Sequence, residues 1–272
     1  MRGPRLAVSI WIVVLCGAGL AQRVQFVPAN ETTILQRMKN IPEDNQERVA
    51  GLKALFSAAG CNGAELTEQP VDGVEIPNIT CRLRGAGSDT IIVGAHYERA
   101  SSTQRPLDNW SGASLLPALY QSLQGRTRRH NFIFVAFADK GNDTAGAEFF
   151  TRHLGQPELD RTEAMINVDA LGLSPTKISV AHSDKDLVHD LVVMVYALKL
   201  SASQIDIAPA GNTDSEPFAQ RRIPQITVHS LTQQNVASGE TTEFRPSNYY
   251  DTYRLLCGYL AYLDQTLKPR PH

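Results

Sequence analysis

Between about residue 78 and the C-terminus, runs of consecutive apolar residues alternate with segments in which apolar residues recur at helical spacing. "DTIIVGAHY", "HNFIFVAFAD" and "RTEAMINVDALGL" are apolar at successive positions, the pattern of strands buried on both faces. "NITCRLRG", "KISVAHS" and "IPQITVHSL" predict further strands. The segments "GASLLPALYQSLQ", opened by the turn "DNWSG", then "TAGAEFFTRHLG", "KDLVHDLVVMVYALKL" and "NYYDTYRLLCGYLAYLDQTL" predict the intervening and closing helices. Upstream, "ETTILQRMKNIPEDNQERVAGLKALFSAAG" predicts one or two helices stopped by Gly60. Strands alternating with helices define an α/β protein: a three-layer sandwich, its mostly parallel, twisted central sheet covered by helices on both faces.

In sheets of this kind ligands sit beyond the carboxyl ends of the strands. The residues found there are His96, Asp139, Asp169 and His229, joined by Asp108 from the loop after His96. These are zinc-ligand types, able to hold one or two ions and an activated water. Taken singly they mean less. A histidine after a strand is more often a hydrogen-bonded structural residue, and aspartate commonly caps a turn.

The 272 residues are 42% hydrophobic and 20% charged, enough for one sizeable core. A formal charge of −2 offers no attraction to nucleic acid or to an anionic membrane. The N-terminus carries two arginines, an apolar run from Leu6 to Leu15 and small residues at Gly19 and Ala21, which reads as an export leader over residues 1–21. The apolar run is shorter than the roughly 20 residues of a spanning helix. Residues 22–272 then form a single domain in an oxidising compartment, periplasmic or extracellular, with no stable membrane association. Of the remaining cysteines, Cys61 at a helix end and Cys81 in the next extended run are the expected pair, and Cys257 is the expected buried thiol.

Five segments in order, "IIVGAHYE", "LDNWSGASLLPALYQSL", "NFIFVAFAD", "MINVDALG" and "NTDSEPFAQRRIPQITVHS", resemble metallopeptidase family twenty-eight, the secreted zinc aminopeptidase type with glutaminyl cyclases as relatives. The resemblance implies peptide-bond hydrolysis at the N-terminus of a peptide or protein substrate. It also implies two zincs held by a histidine, a bridging aspartate, a glutamate, a second aspartate and a final histidine. Carried over by motif, His96, Asp108 and Asp169 match three of those ligands.

The other positions depart from the family. Where the family places a Glu-Glu pair, base then ligand, an ungapped reading anchored on Phe137 and Gly146 places Lys140 and Gly141. A gapped reading leaves Asp139 as a shorter substitute ligand. The final His-Ser-Pro or His-Thr-Pro loop is replaced by "LTQQNVASGETTEFRPSNYY", which has no histidine, and His229 nearby is better suited to packing. Glu98 stands where the family has an aspartate that supports the first histidine.

A protonated Lys140 cannot act as general base, and loss of that base alone removes roughly 10²- to 10⁴-fold in rate. An ammonium there would instead pair with Asp108 and Asp169. The sequence thus predicts an exported, metallo-aminopeptidase-like protein with a degraded zinc site. The competing reading is a working peptidase using Asp139, Asp143 or His229 as substitute ligands. A glutaminyl cyclase would lack two of its three zinc ligands here. A serine hydrolase is excluded by the absence of a Gly-x-Ser-x-Gly elbow, with Ser111 a helix-start residue. Asp214 and Phe218 match a family loop near the site, which makes Asp214 a cleft wall or a simple turn residue. Tyr249, Tyr250 and Tyr253 are read as packing residues.

Overall fold

The computed structural model describes residues 11–16, 21–39, 41–99, 106–138, 144–205, 213–232 and 243–268, without the side chains of 11–16, 21–23 and 106–108. Strands β1 (Trp11–Cys16) and β2 (Ala21–Phe26) pair antiparallel as a separate two-stranded sheet that straddles the end of the segment read as a leader. Val24 and Phe26 of β2 are buried. Among the described residues no helix is long and apolar enough to cross a membrane.

The central sheet is built from β3 (Leu66–Gln69), β4 (Asn78–Leu83), β5 (Thr90–His96), β6 (Asn131–Phe137), β7 (Thr162–Val168), β8 (Thr176–Ser179), β9 (Ala202–Ile205) and β10 (Gln225–His229). Their order is β3-β4-β6-β5-β7-β10-β8-β9. The central four, β6, β5, β7 and β10, are mutually parallel. The expected parallel character holds there. Toward the edges the direction reverses: β4 is antiparallel to both β6 and β3, and β8 is antiparallel to β10 while running parallel to β9.

Nine α-helices are described: α1 (Glu31–Gln36), α2 (Asn45–Ala58), α3 (Pro106–Ala113), α4 (Leu116–Leu123), α5 (Ala145–His153), α6 (Gln156–Asp160), α7 (Lys185–Leu198), α8 (Glu216–Gln220) and α9 (Pro246–Thr266). Their ends follow local chemistry. Asn30 and Asp44 cap α1 and α2 by accepting from the Thr33 and Glu47 backbone N–H groups at 2.8 and 2.7 Å. Gly60, at φ 93°, supplies the left-handed residue that stops α2. The stretch "DNWSG", expected as a turn, lies inside α3, which begins at Pro106.

Alternation along the inner strands divides the core. Ile91, Val93 and Ala95 of β5 and Phe132, Phe134 and Ala136 of β6 face the layer containing Leu52 of α2, Leu119 of α4, Leu191 of α7 and Tyr253 of α9. Ile92, Ile133, Val135 and Phe137 face Phe150 of α5, Leu159 of α6 and Phe218 of α8. Three layers result, with apolar burial on both faces of the inner strands.

Two covalent or ionic ties reinforce the frame. Cys61 and Cys81 form the expected disulfide, joining the end of α2 to β4, and Cys257 is free and buried. Asp264 near the end of α9 accepts from the backbone N–H groups of Arg129 and His130 at 3.0 and 2.9 Å and from Arg126 at 3.2 Å. His130 donates from Nδ1 to the Asp264 carbonyl at 3.1 Å. Burial acts to raise the Asp264 carboxyl, but the His130 hydrogen bonds and the Arg126 charge outweigh it and hold it below the ordinary range.

Candidate functional site

The buried strand β5 delivers His96 to the carboxyl edge of the sheet, where the ring is 23% exposed. Three segments converge on it. The Asp214 carboxylate lies 3.0 Å from Nδ1, the Asn109 amide oxygen 3.0 Å from Nε2, and the Asp169 carboxylate 3.4 Å from Nε2.

Local structure explains each partner. Asp214 precedes α8 in a turn whose Ser215 hydroxyl bonds to Thr227 of β10 at 3.0 Å and to Thr213 at 2.7 Å, so the carboxylate is buried and fixed. Asp169 follows β7, with its N–H donating to the Val228 carbonyl of β10 at 3.0 Å. The next residue, Ala170, adopts φ 42°, a left-handed conformation that non-glycine residues enter at some cost. That bend is held by the Ser111 hydroxyl, which accepts from Leu171 N–H at 2.8 Å, and by the Ser230 N–H, which donates to the Ala170 carbonyl at 3.0 Å. Ser111 is therefore a structural residue within α3.

Asn109, also on α3, donates from its amide nitrogen to the Glu98 carbonyl at 2.8 Å and to the Glu98 carboxylate. This fixes its oxygen toward His96. Both ring nitrogens therefore face acceptors, an arrangement satisfied by a doubly protonated imidazolium. Burial pulls the His96 pKa down, but the charges of Asp169 and Asp214, the hydrogen bond to Asp214 and the charge of Glu98 carry it well above the ordinary value.

Glu98 does not touch His96; it acts through Asn109. It is buried, with one carboxylate oxygen unpartnered among the described residues. Burial raises its pKa, against the opposing His96 and Arg48 charges. Arg48, fully buried, donates to the Tyr97 and Glu98 carbonyls at 2.9 Å each and lies 5.7 Å from the Trp110 ring centroid. Burial lowers its pKa to about 10.

His229 is buried at the end of β10, and its Nδ1 accepts from Leu231 N–H at 3.1 Å. Burial first, with Lys177 assisting and Asp169 opposing, lowers its pKa and leaves it neutral. It makes no contact with His96 or Asp169 among the described bonds, in keeping with packing. Tyr249 donates to the Ser111 carbonyl at 3.0 Å, and the Tyr253 hydroxyl accepts from Ala29 N–H at 2.9 Å, so both brace the interior.

The structure thus brings His96 and Asp169 together. The side chain of Asp108 and all of Asp139, Lys140, Gly141 and Asp143 lie outside the described residues. Two zinc ligands each about 2.0–2.1 Å from a tetrahedral ion stand roughly 3.4 Å apart. The His96 Nε2 to Asp169 Oδ1 separation of 3.4 Å has that value. Yet Nε2 is equally turned to Asn109, and among the described residues no three His, Cys, Asp or Glu side chains are placed to hold a metal ion. The described donors do not make a complete zinc site.

Asn109 and the Asp214 contact are the site features that the sequence did not reveal. Asn109 was hidden beside the more conspicuous Asp108. The motif puts Asp214 near the site as a cleft wall or a turn residue, but not in contact with His96, which it reaches across 118 positions of chain.

The mixed sheet, with a histidine and an aspartate at the ends of adjacent parallel strands, defines a peptidase-like α/β protein. The chain belongs to peptidase family M28, which it matches over residues 78–254. It is 26% identical to the aminopeptidase YwaD of Bacillus subtilis (strain 168) over 139 residues, covering 50% of this chain and 30% of that protein. The chain therefore spans about a third of the length of this curated relative. Its fold is similar to that of the LapA aminopeptidase of Legionella pneumophila (TM-score 0.73, 13% identity, 87% of this chain and 71% of that one). It is also similar to a glutaminyl cyclase from an Acidobacteriales bacterium (TM-score 0.67, 16% identity, 88% and 96%).

Proposed function

We propose that this protein is an exported member of the aminopeptidase family that keeps the peptide cleft while its zinc site is incomplete and its hydrolytic activity is lost or strongly reduced. The observation that carries this reading is the engagement of His96 at both nitrogens, by Asp214 on one side and by Asn109 and Asp169 on the other. A ligand histidine must keep one nitrogen lone pair for the metal. Here the imidazolium itself supplies the positive charge between Asp169 and Asp214.

Sequence chemistry supports the same conclusion. Lys140 and Gly141 replace the family's base and one ligand, so neither proton abstraction nor a full donor set is available at those positions. What remains is a cluster whose carboxylates, Asp169 and Asp214, outnumber the His96 cation, which suits the ammonium of a peptide N-terminus. Removal of residues 1–21 as a leader belongs to this reading, and the Cys61–Cys81 bridge suits an oxidising compartment.

A second reading, an active zinc peptidase completed by Asp108 and a substitute such as Asp139, is favoured by the 3.4 Å spacing of His96 and Asp169. Zinc analysis of the purified protein, with turnover of leucine p-nitroanilide and of an N-terminal glutaminyl peptide, separates the two. The expected result is substoichiometric zinc and no turnover of either substrate. Stoichiometric zinc, with turnover abolished by Asp108→Ala, would overturn the proposal and establish the second reading.

A further inference from the structure

A well-formed cavity lies at the opposite end of the sheet, where β5, β6 and β7 begin at Thr90, Asn131 and Thr162. Its volume is about 440 Å³, within the range of small-ligand sites. Six residue steps along β5 at about 3.3 Å each separate it from His96 by roughly 20 Å. It is a different place from the family cleft.

Its walls combine two chemistries. Ile133 and Leu154, buried together in the layer that holds α5 and α6, give it an apolar floor. Around it stand Arg82, Arg84 and Arg161 with Glu65 and Glu158, three cations against two anions. Arg84 pairs with Glu65 at 3.0 Å, whereas Arg82 reaches Glu158 only at 3.9 Å, with side chains 44% and 52% exposed. Arg161 makes no ion pair among the described residues. Two guanidinium groups are thus loosely committed or uncommitted, and such exposed pairs exchange partners at little cost.

The cavity is built rather than incidental. The loop after β4 passes against the segment before β6 so closely that a Cβ on Gly85 would stand 2.2 Å from the His130 carbonyl oxygen. Asn131 locks the same loop, accepting from Gly85 N–H at 3.0 Å and donating to the Gly87 carbonyl at 3.1 Å. The clamp of Asp264 on Arg129 and His130 fixes the other side.

We infer that this cavity binds the carboxyl-terminal end of a short peptide with an apolar last residue. The planar carboxylate suits the forked donors of Arg82 and Arg161, and the side chain suits the apolar floor. An inorganic anion would use the arginines but leave the apolar floor uncovered.

Titration of the ¹⁵N-labelled protein with N-acetyl-leucine, N-acetyl-leucinamide and inorganic phosphate tests this. N-acetyl-leucine should shift the amides of Gly85, Gly87 and Thr162 saturably. The leucinamide, differing only in lacking the carboxylate, should not, and phosphate should bind about tenfold or more weakly. Arg82→Gln with Arg161→Gln should weaken N-acetyl-leucine by about tenfold or more while the rest of the spectrum is unchanged. Asp169→Asn, which alters the family cleft, should leave this binding intact. Absence of saturable shifts, equal binding of phosphate, or loss of binding in Asp169→Asn would each overturn the inference.

Discussion

Two histidine–aspartate pairs stand at opposite ends of the central sheet, and they differ in what the aspartate already holds. At the amino end, Asp264 is filled by two backbone N–H groups and Arg126, and His130 adds a bond to its carbonyl. All four contacts fasten α9 to the start of β6. At the carboxyl end, His96 is the shared member, gathered by Asp214, Asn109 and Asp169 from three separate segments and partly open to solvent. A saturated acceptor that ties two elements together is a fastener. A titratable ring approached from several strand ends at an open edge is a site.

The largest effect expected from this contrast is on stability at the amino end. Asp264→Ala removes the acceptor for two buried N–H groups and the partner of Arg126, at an expected cost of about 3–5 kcal/mol. Asp264→Asn retains a neutral acceptor and should cost less. Urea unfolding with unchanged slope measures both. If the alanine variant costs under about 1 kcal/mol, the distinction between fastener and site collapses.

A smaller loss, about 2 kcal/mol, is expected for Asp214→Ala, which takes one charge-assisted hydrogen bond from His96. The two pairs also leave opposite marks on pH dependence. The folded-state pKa of His96 is raised above its ordinary 6.5, so its contribution is complete below that value and is lost as pH rises through the folded one. The folded-state pKa of Asp264 is lowered below its ordinary 3.8, so its contribution is present above that value and is lost as pH falls through the folded one. Asp214→Ala should flatten the alkaline limb of the stability profile and Asp264→Asn the acidic limb. The reverse pattern would show the two roles to be interchanged.

The site can be sharpened further at Asn109. Replacing it by alanine should cost about 1–2 kcal/mol, since the Glu98 carboxylate and carbonyl lose a shared donor inside the fold. The same substitution frees His96 Nε2 from its amide acceptor. If Asn109 is what turns the ring away from metal, Asn109→Ala should bind zinc more tightly than the parent protein, measured by competition with a chromogenic chelator. Unchanged affinity would remove Asn109 from that role.

Much of this frame is legible in the sequence because burial on both faces leaves an unbroken apolar run, as in β5, β6 and β7. The edge strands β3 and β9 were not, being four residues long and half exposed. The reversal at β4 and β8 was equally silent, since a strand's apolar run is the same read in either direction. In the site, His96 and Asp169 were legible from position at strand ends and from motif. The Asp214 contact was not, because the turn that fixes it depends on Ser215 meeting Thr227, a pairing set only when α8 docks on β10. Asn109 was invisible for a related reason: its role depends on which way α3 turns its amide, and "DNWSG" has the composition of a turn.

The finest test of the contrast concerns His229, which stands beside the site without joining it. Its Nδ1 accepts from Leu231 N–H, so its proton sits on Nε2, a buried donor without a partner among the described residues. His229→Asn keeps an acceptor near the Nδ1 position and deletes that donor. The lost packing and the removed unsatisfied group act in opposite directions, so the net change should stay within about 1 kcal/mol. Zinc affinity should be unchanged. If His229 is instead recruited as a ligand, the same variant would lose zinc while remaining stable, a combination that a packing residue cannot produce.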